Sequence, residues 1–370
     1  MNGRSLLKST LLTLNLIFAV ALLLSSSAHL VDPNTFLFPA FFGLAFLPIF
    51  LLNVVLLLGW LMLKPKFALI NVSVIALSWS TVAKHLQFFN ESTEPDSASF
   101  EVMSFNVRLF DLYNWKGNES TRNEILDYLS ETKSDVHCFQ EFFNSNKNSY
   151  FNTLDTLLDH EVGTEVHEEF TAILHEGMSK FGIATLSKAP ILHRERIHLD
   201  TAMNNIAIFT DILIGKDTLR FFNIHLASVH LSGLEKDINK HLETNDQEGQ
   251  LKDLQIISQR LATGFKRRAK QAKVIREAID ASPHPVIVTG DFNDTPASFA
   301  YNILSEGLQD AYVLQGNGVG STYIGLYPML RIDFILVDPR LTVNAFSTEK
   351  VTLSDHRPIR ATISLTKPSA

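Results

Sequence analysis

The first 89 residues contain three long stretches without a formal charge, and these limit what the chain can fold into more sharply than any other feature. From Ser9 to Leu30 the only titratable side chain is His29; Thr35 to Leu63 and Phe67 to Ala83 carry none. A helix needs about 20 apolar residues to cross the hydrocarbon core of a bilayer. The expected spans are therefore 9–30, 36–63 and 67–89, the third reaching full length only by running past Lys84. A soluble domain has little use for three such stretches in succession. Lys and Arg placement orients them. Arg4 and Lys8 precede the first span, Lys64 and Lys66 lie between the second and third, and the loop "HLVDPNT" has neither residue. The N-terminus and the "KPK" loop are thus expected in the cytoplasm, and everything after residue 90 outside it, in an inner or plasma membrane crossed several times. A cleaved signal peptide over residues 1–28, ending in "LSSSA", is an alternative that leaves the same final side. The orientation does require the third stretch to cross.

Beyond the apolar region, "NESTEPDSAS" (90–99) reads as a linker, and a domain of different composition follows over 100–368. The net charge of the 370-residue chain is −7, so no overall basic field calls for nucleic acid. A single cysteine, Cys138, excludes an intrachain disulfide. Short apolar runs predict strands at 100–107, 136–142, 171–175, 182–187, 206–214, 219–227, 285–292, 331–337 and 360–365. Helical spacing fits 121–132, with Thr121 and Glu124 placed as a capping box, and 266–282. The polar stretch 231–262 reads as helical, with few strand signals, and as a solvated insertion in preference to a lid over the site. Many strands with a few interspersed helices predict an α/β sandwich with helices on its outer faces.

Several strands end in polar residues that a core strand does not need. Asn106 ends "MSFN", Glu141 ends "HCFQE" and His225 lies in "FNIHLAS". Asp291 and Asn293 lie in "TGDFN", Asp333 in "RIDFIL", and Asp355 and His356 in "SDHRP". Each alone has an ordinary reading as a turn residue, a solvated strand end or a hydrogen-bonded core histidine. Together, at strand ends that converge on one sheet edge, they form a coherent set. Carboxylates and carboxamides are hard oxygen ligands suited to Mg2+, Mn2+ or Ca2+, and no Cys/His cluster suggests zinc. Two histidines add proton transfer near neutrality. Hydrolysis of a phosphate ester calls for this combination.

The ordered motifs "SFN … QE … NIHL … GDFN … RIDFIL … SDHRP" resemble the endonuclease/exonuclease/phosphatase superfamily, the DNase I-like fold, and "FGIATLSKAPI" (181–191) resembles its central strand and turn. The resemblance implies a four-layer α/β sandwich with the site at one rim, preceded here by the helical transmembrane region. It implies a metal-ligand role for Glu141 with Asn106 beside it, and Asp355 as a further ligand or supporting acid. Asp291 would position or deprotonate the attacking water, and Asn293 would hold phosphate or nucleophile. His356 would face the scissile phosphate with Asp333 orienting it, and His225 would be a second, substrate-facing histidine. The general base stays open between Asp291 and His356. The acidic partner of His225 is not evident; Glu165, Glu168, Glu169 and Glu176 are candidates by position.

The expectation is a hydrolase dependent on Mg2+ (or Mn2+), acting on a phosphodiester or phosphomonoester and tethered to the lipid bilayer. The alternative is a non-catalytic binding module on the same fold. Nucleic acid and phospholipid- or sphingomyelin-like esters both stay open as substrates, and no specific protein partner is implied. The basic helix 265–276 does not decide for nucleic acid. Its Phe265, Ala269, Ala272 and Ile275 fall at helical spacing, so one face packs and the charges are solvated. Tyr323, Tyr327 and Leu330 are candidates for an apolar wall beside the site.

Overall fold

A computed structural model of the chain describes residues 3–88, 90–94, 98–117, 120–132, 134–199, 205–229, 240–241, 244, 246–325 and 329–365. It forms two compact units. One comprises Met1–His85, Ser228–Lys270 and Asp294–Asn302; the other comprises Leu86–Ala227, Gln271–Asn293 and Ile303–Ala370.

The N-terminal helices are α1 (Gly3–Ser27), α2 (Phe38–Leu44), α3 (Phe46–Leu63), α4 (Pro65–Leu77) and α5 (Trp79–His85). Two helical stretches, Lys8–Leu30 and Phe46–Leu63, are long and apolar enough to cross a membrane, with mean hydropathies of 2.0 and 2.5. The expected second span, 36–63, is broken. Ala45 leaves helical geometry between α2 and α3, and Pro39 and Pro48 each take a place in the first turn of a helix, where proline needs no backbone donor. The expected third span, 67–89, is also not straight: α4 and α5 meet at a 66° bend, and residue 89 lies outside the described residues. Polar side chains tie these helices together. Asn53 donates to the Phe18 carbonyl at 2.9 Å, Asn71 to Asn53 at 3.2 Å, and Ser78 to Ser26 at 3.1 Å.

The following elements are, in chain order, β1 (Ser99–Asn106), α6 (Thr121–Glu131), β2 (Val136–Ser145), α7 (Thr153–Asp159), β3 (Glu165–Leu174), β4 (Ser179–Ser187), β5 (Ile191–Ile197), β6 (Ile206–Ile214) and β7 (Asp217–His225). Then come α8 (Gln247–Asp280), β8 (Val286–Asp291), α9 (Phe299–Ser305), β9 (Gln309–Asp310), α10 (Ala311–Gln315), β10 (Asp333–Val337), β11 (Thr342–Thr348) and β12 (Ile359–Ser364). The strands form two six-stranded sheets, ordered β11-β12-β1-β2-β4-β3 and β5-β6-β7-β8-β10-β9. Val102, Cys138 and Ile363 of the first sheet meet Phe221, Ile287 and Ile335 of the second in one core. Alternate residues of β1 and β2, such as Phe105 and Phe139, point the other way and bury Ile125, Leu129 and Leu157 of α6 and α7. Ala272, Ile275 and Ile279 of α8 are buried, and Gln271 accepts the Ala227 N–H just past β7. The result is the expected α/β sandwich of two sheets flanked by helices.

Several details add to or differ from the sequence reading, which did not expect β11, α7, α9 or α10. Helix α8 begins at Gln247 and runs unbroken into the helix expected at 266–282, in keeping with the helical reading of the stretch before it; residues 230–239, 242, 243 and 245 lie outside the described residues. Strand β3 starts at Glu165 rather than 171. Strand β5 was not expected because "LHRE", its middle, is exposed and shows no alternation.

His137 on β2 is fully buried among apolar neighbours, and neither ring nitrogen has a hydrogen-bond partner. Burial, with Lys188 adding to it, pushes its pKa down to about 3. The unfolded chain takes up a proton below about pH 6.5, while the folded chain resists until about pH 3, so stability falls as pH drops through that window. The penalty reaches about 4 kcal/mol at its foot. His137→Leu is expected to flatten the acid limb of a melting-temperature profile between pH 7 and 4. An unchanged limb would mean that other groups control it.

Candidate active site

The parallel pairing of β7 with β8 sets His225 opposite Asp291, and the antiparallel pairing of β8 with β10 sets Asp333 opposite Asp291. Registered partners project from the same face of a sheet. Three polar side chains therefore stand in one row at the rim of the second sheet. Gly290 makes the close strand approach possible: its φ is +134°, and a Cβ there would lie 2.0 Å from the Ile224 carbonyl oxygen. The chain then turns at Asn293, whose φ is +52°.

The first sheet contributes from the opposite side. Asn106 is the last residue of β1, paired with Gln140. The next residue on β2, Glu141, sits in an irregularity between Phe139 and Phe142 with φ +49°. A bulge of this kind re-aims a side chain. Asn106 Nδ2 donates to Asp291 Oδ2 at 3.0 Å and to Glu141 Oε1 at 3.4 Å. Asn293 donates to Asp291 through its backbone N–H at 2.8 Å and its Nδ2 at 3.1 Å.

His356 completes the group. Its Nδ1 lies 2.9 Å from Asp333 Oδ2, and its Nε2 lies 3.7 Å from Asp291 Oδ2. Arg331, two residues before Asp333 in the sequence, pairs with Asp310 at 2.8 Å. His225 Nε2 lies 3.7 Å from both Glu141 Oε1 and Asp291 Oδ2. Two acids of the site itself thus face His225, while Glu165, Glu168 and Glu169 pair with Arg194, Lys180 and Arg196. Asp355 is 3.3 Å from Arg108 Nε. Tyr323 pairs with His356 through a backbone bridge and meets its ring edge-on at 5.3 Å; Tyr327 lies outside the described residues.

Crowding sets the electrostatics. Burial pushes the Asp291 carboxyl up to about 6; Asp333 adds to the rise, and the two histidines oppose it. Burial and Asp355 raise Glu141. For His356 burial alone favours the neutral ring, but the carboxylates of Asp333 and Asp291 outweigh it and raise the pKa well above 6.5. The site therefore combines a carboxyl poised near neutrality, a cationic imidazole and a set of mutually repelling oxygens. Ligand atoms of Asp291, Asp333 and His356 lie within 4.8 Å of one another, a grouping that could hold a metal ion.

The sequence motifs that built this site extend across the domain. A profile of the Endonuclease/Exonuclease/phosphatase family matches residues 103–356. The chain belongs to this family. A second profile, of a domain of unknown function, matches residues 8–85. Among solved structures, an endonuclease/exonuclease/phosphatase from Bacteroides vulgatus is 19% identical, with a TM-score of 0.53 over 72% of this chain and 99% of that one. A humanized D. rerio TDP2 is 20% identical, with a TM-score of 0.52 over 72% and 100%. A mannosyl-6-phosphatase from Bacteroides thetaiotaomicron is 17% identical, with a TM-score of 0.50 over 71% and 99%. No curated protein matches the chain. These likenesses show the fold that this family member shares with them.

Sequence reading passed over Arg108. It opens a run of four non-glycine residues, Arg108 to Asp111, with φ between 45° and 57°. Each such residue costs about 1–2 kcal/mol, and strain of this kind gathers at functional sites. The turn stacks the Arg108 guanidinium 4.5 Å from the Trp115 ring and points it at Asp355. The only sequence signal was an arginine two residues after Asn106.

Proposed function

We propose that this family member is a Mg2+ (or Mn2+)-dependent phosphoester hydrolase held in a membrane by its N-terminal helices. The carrying observation is the buried row His225, Asp291 and Asp333, capped by His356 and faced by Asn106 and Glu141. The donor set suits a hard cation. Asp333 is committed to His356 and Asp355 to Arg108, whereas the described partners of Glu141 are more distant, Asn106 at 3.4 Å and His225 at 3.7 Å. Glu141, supported by Asn106 and with Asp355 nearby, would therefore hold the ion. When bound, the ion supplies positive charge against the phosphate and the leaving oxygen. Asp291, fixed by Asn106 and Asn293, takes the proton of the attacking water. His356, kept cationic and oriented by Asp333, donates to a phosphate oxygen. His225 and Asn293 contact substrate from the same rim.

Membrane crossing and side rest on the helix contacts. Asn53 stands level with Phe18, and Asn71 with Asn53. Ser78 stands level with Ser26, near the far end of α1. The third segment has thus climbed as far as the first span by its bend, which supports three crossings and, with Lys64 and Lys66 inside, a catalytic domain outside the cytoplasm. A domain so placed meets lipid and envelope esters before intracellular nucleic acid. Hydrolysis by the full chain of a panel containing phosphomonoester, phosphodiester, sphingomyelin and single-stranded DNA would name the substrate branch. Folded, cation-binding protein that cleaves none of them would favour the binding-module alternative.

Arg108 is placed to leave Asp355 for a substrate oxygen. A charge-assisted bond of about 1.5 kcal/mol corresponds to about a tenfold change in binding. Arg108→Gln is expected to raise KM about tenfold with kcat changed much less. Equal loss in kcat with KM unchanged would instead place Arg108 at the reacting phosphate.

A further inference from the structure

Two chain segments leave the site, one after His225 and one after Asn293, and helix α8 holds both. Arg268 and Gln271 are three residues apart, hence on one side of the helix, and are only 1% and 2% exposed. Gln271 Oε1 accepts the N–H of Ala227, two residues past His225, at 2.9 Å. Arg268 Nε donates at 2.9 Å to Asp294, the residue after Asn293. Asp294 Oδ1 in turn accepts the N–H of Thr295 at 3.0 Å. A buried ion pair is weak evidence for stability, because desolvation offsets its attraction; fixing one conformation is the better-attested use.

The same segment is gripped by the N-terminal helices. Thr295 Oγ1 donates to the Gly43 carbonyl at 3.4 Å. Gly43 has no room for a side chain: a Cβ would lie 2.8 Å from the Ala28 Cβ and 3.2 Å from the Ala297 carbonyl oxygen. Phe41 meets Phe265, one turn before Arg268, edge to face at 5.4 Å. The stretch that joins the two apolar helices is therefore packed on both α8 and the segment 294–302.

We propose that Arg268 and Gln271 are positioning residues for the reaction, and that the contact of Gly43 with residues 295–297 makes the helical N-terminal region a working part of the hydrolase rather than a tether. This rests on the function proposed above. Misplacing catalytic groups by about 1 Å can cost about a hundredfold in rate, and only one peptide bond separates Asn293 from Asp294.

The test compares full-length protein in detergent micelles with its Gly43→Val and Arg268→Lys variants, using bis-p-nitrophenyl phosphate and Mg2+. This soluble probe needs no membrane. Gly59→Ala is the control, since a Cβ there meets nothing within 4 Å. The expected result is a fall in kcat of at least tenfold in both variants, with KM within twofold and the control unchanged. Amide exchange of the peptide 286–302, read in parallel, should rise in Gly43→Val. A merely structural role would instead lower the melting temperature and the active fraction while surviving molecules kept wild-type kcat. Wild-type kcat and exchange in both variants would overturn the inference. If no protein hydrolyses the probe, faster exchange in Gly43→Val sustains the coupling while the proposed hydrolase reading fails; unchanged exchange overturns both.

Discussion

Asp291→Ala is expected to lower kcat/KM by about a thousandfold, the upper range for loss of a positioned general base. Asp291 sits at the centre of the site: it receives hydrogen bonds from Asn106 and from both the backbone and side chain of Asn293, and it faces both histidines. The fold should survive. Truncation leaves amide donors short of a partner, a cost of about 1–3 kcal/mol. It also removes a carboxyl whose pKa burial has raised to about 6. An acid with a raised folded pKa loses stability as pH rises from its unfolded value through the folded one, so at neutral pH its removal is relieving by about 3 kcal/mol. The two effects oppose each other, and the melting temperature should move by only a few degrees. Asp291→Asn, which keeps the shape and an acceptor, should be as inactive as the alanine variant. Activity within tenfold of wild type in either would remove Asp291 from the proton-transfer role.

The second large effect is expected at Glu141. Glu141→Gln should raise the Mg2+ concentration for half-maximal activity by about a hundredfold, comparable with the loss of important groups around a metal. Gln keeps the volume and can still accept from Asn106, and the lost charge removes repulsion with Asp355, which raises the Glu141 pKa. Stability without metal should therefore hold or rise. Mn2+ binding followed by electron paramagnetic resonance reads the same loss without turnover. Unchanged affinity would move the ion toward the Asp291, Asp333 and His356 grouping.

Much of this was legible because it is local. The β-branched run Val286 to Val288, ended by Gly290, specifies a buried strand that stops at a turn, and the polar residues that follow have no role in such a strand. "IAIFTDILI" predicted β6 with its observed limits. Less legible features depend on distant partners. Asp294 reads locally as a turn residue before Thr295 and Pro296, and Arg268 as a solvated charge on a basic helix; they form a buried pair only because the fold brings them together. The left-handed run at Arg108 to Asp111 contains no glycine to announce it. The bend between α4 and α5 falls within an uncharged stretch, where hydropathy carries no directional information.

The rim row is expected to perform cation-dependent ester hydrolysis. The most direct measurement is turnover of bis-p-nitrophenyl phosphate and p-nitrophenyl phosphate by the full-length chain, in Mg2+ and in EDTA, with Asp291→Ala alongside. Turnover that EDTA abolishes, Mg2+ restores and Asp291→Ala lacks is the predicted result. Turnover that persists in EDTA, or in the folded Asp291→Ala variant, would contradict it.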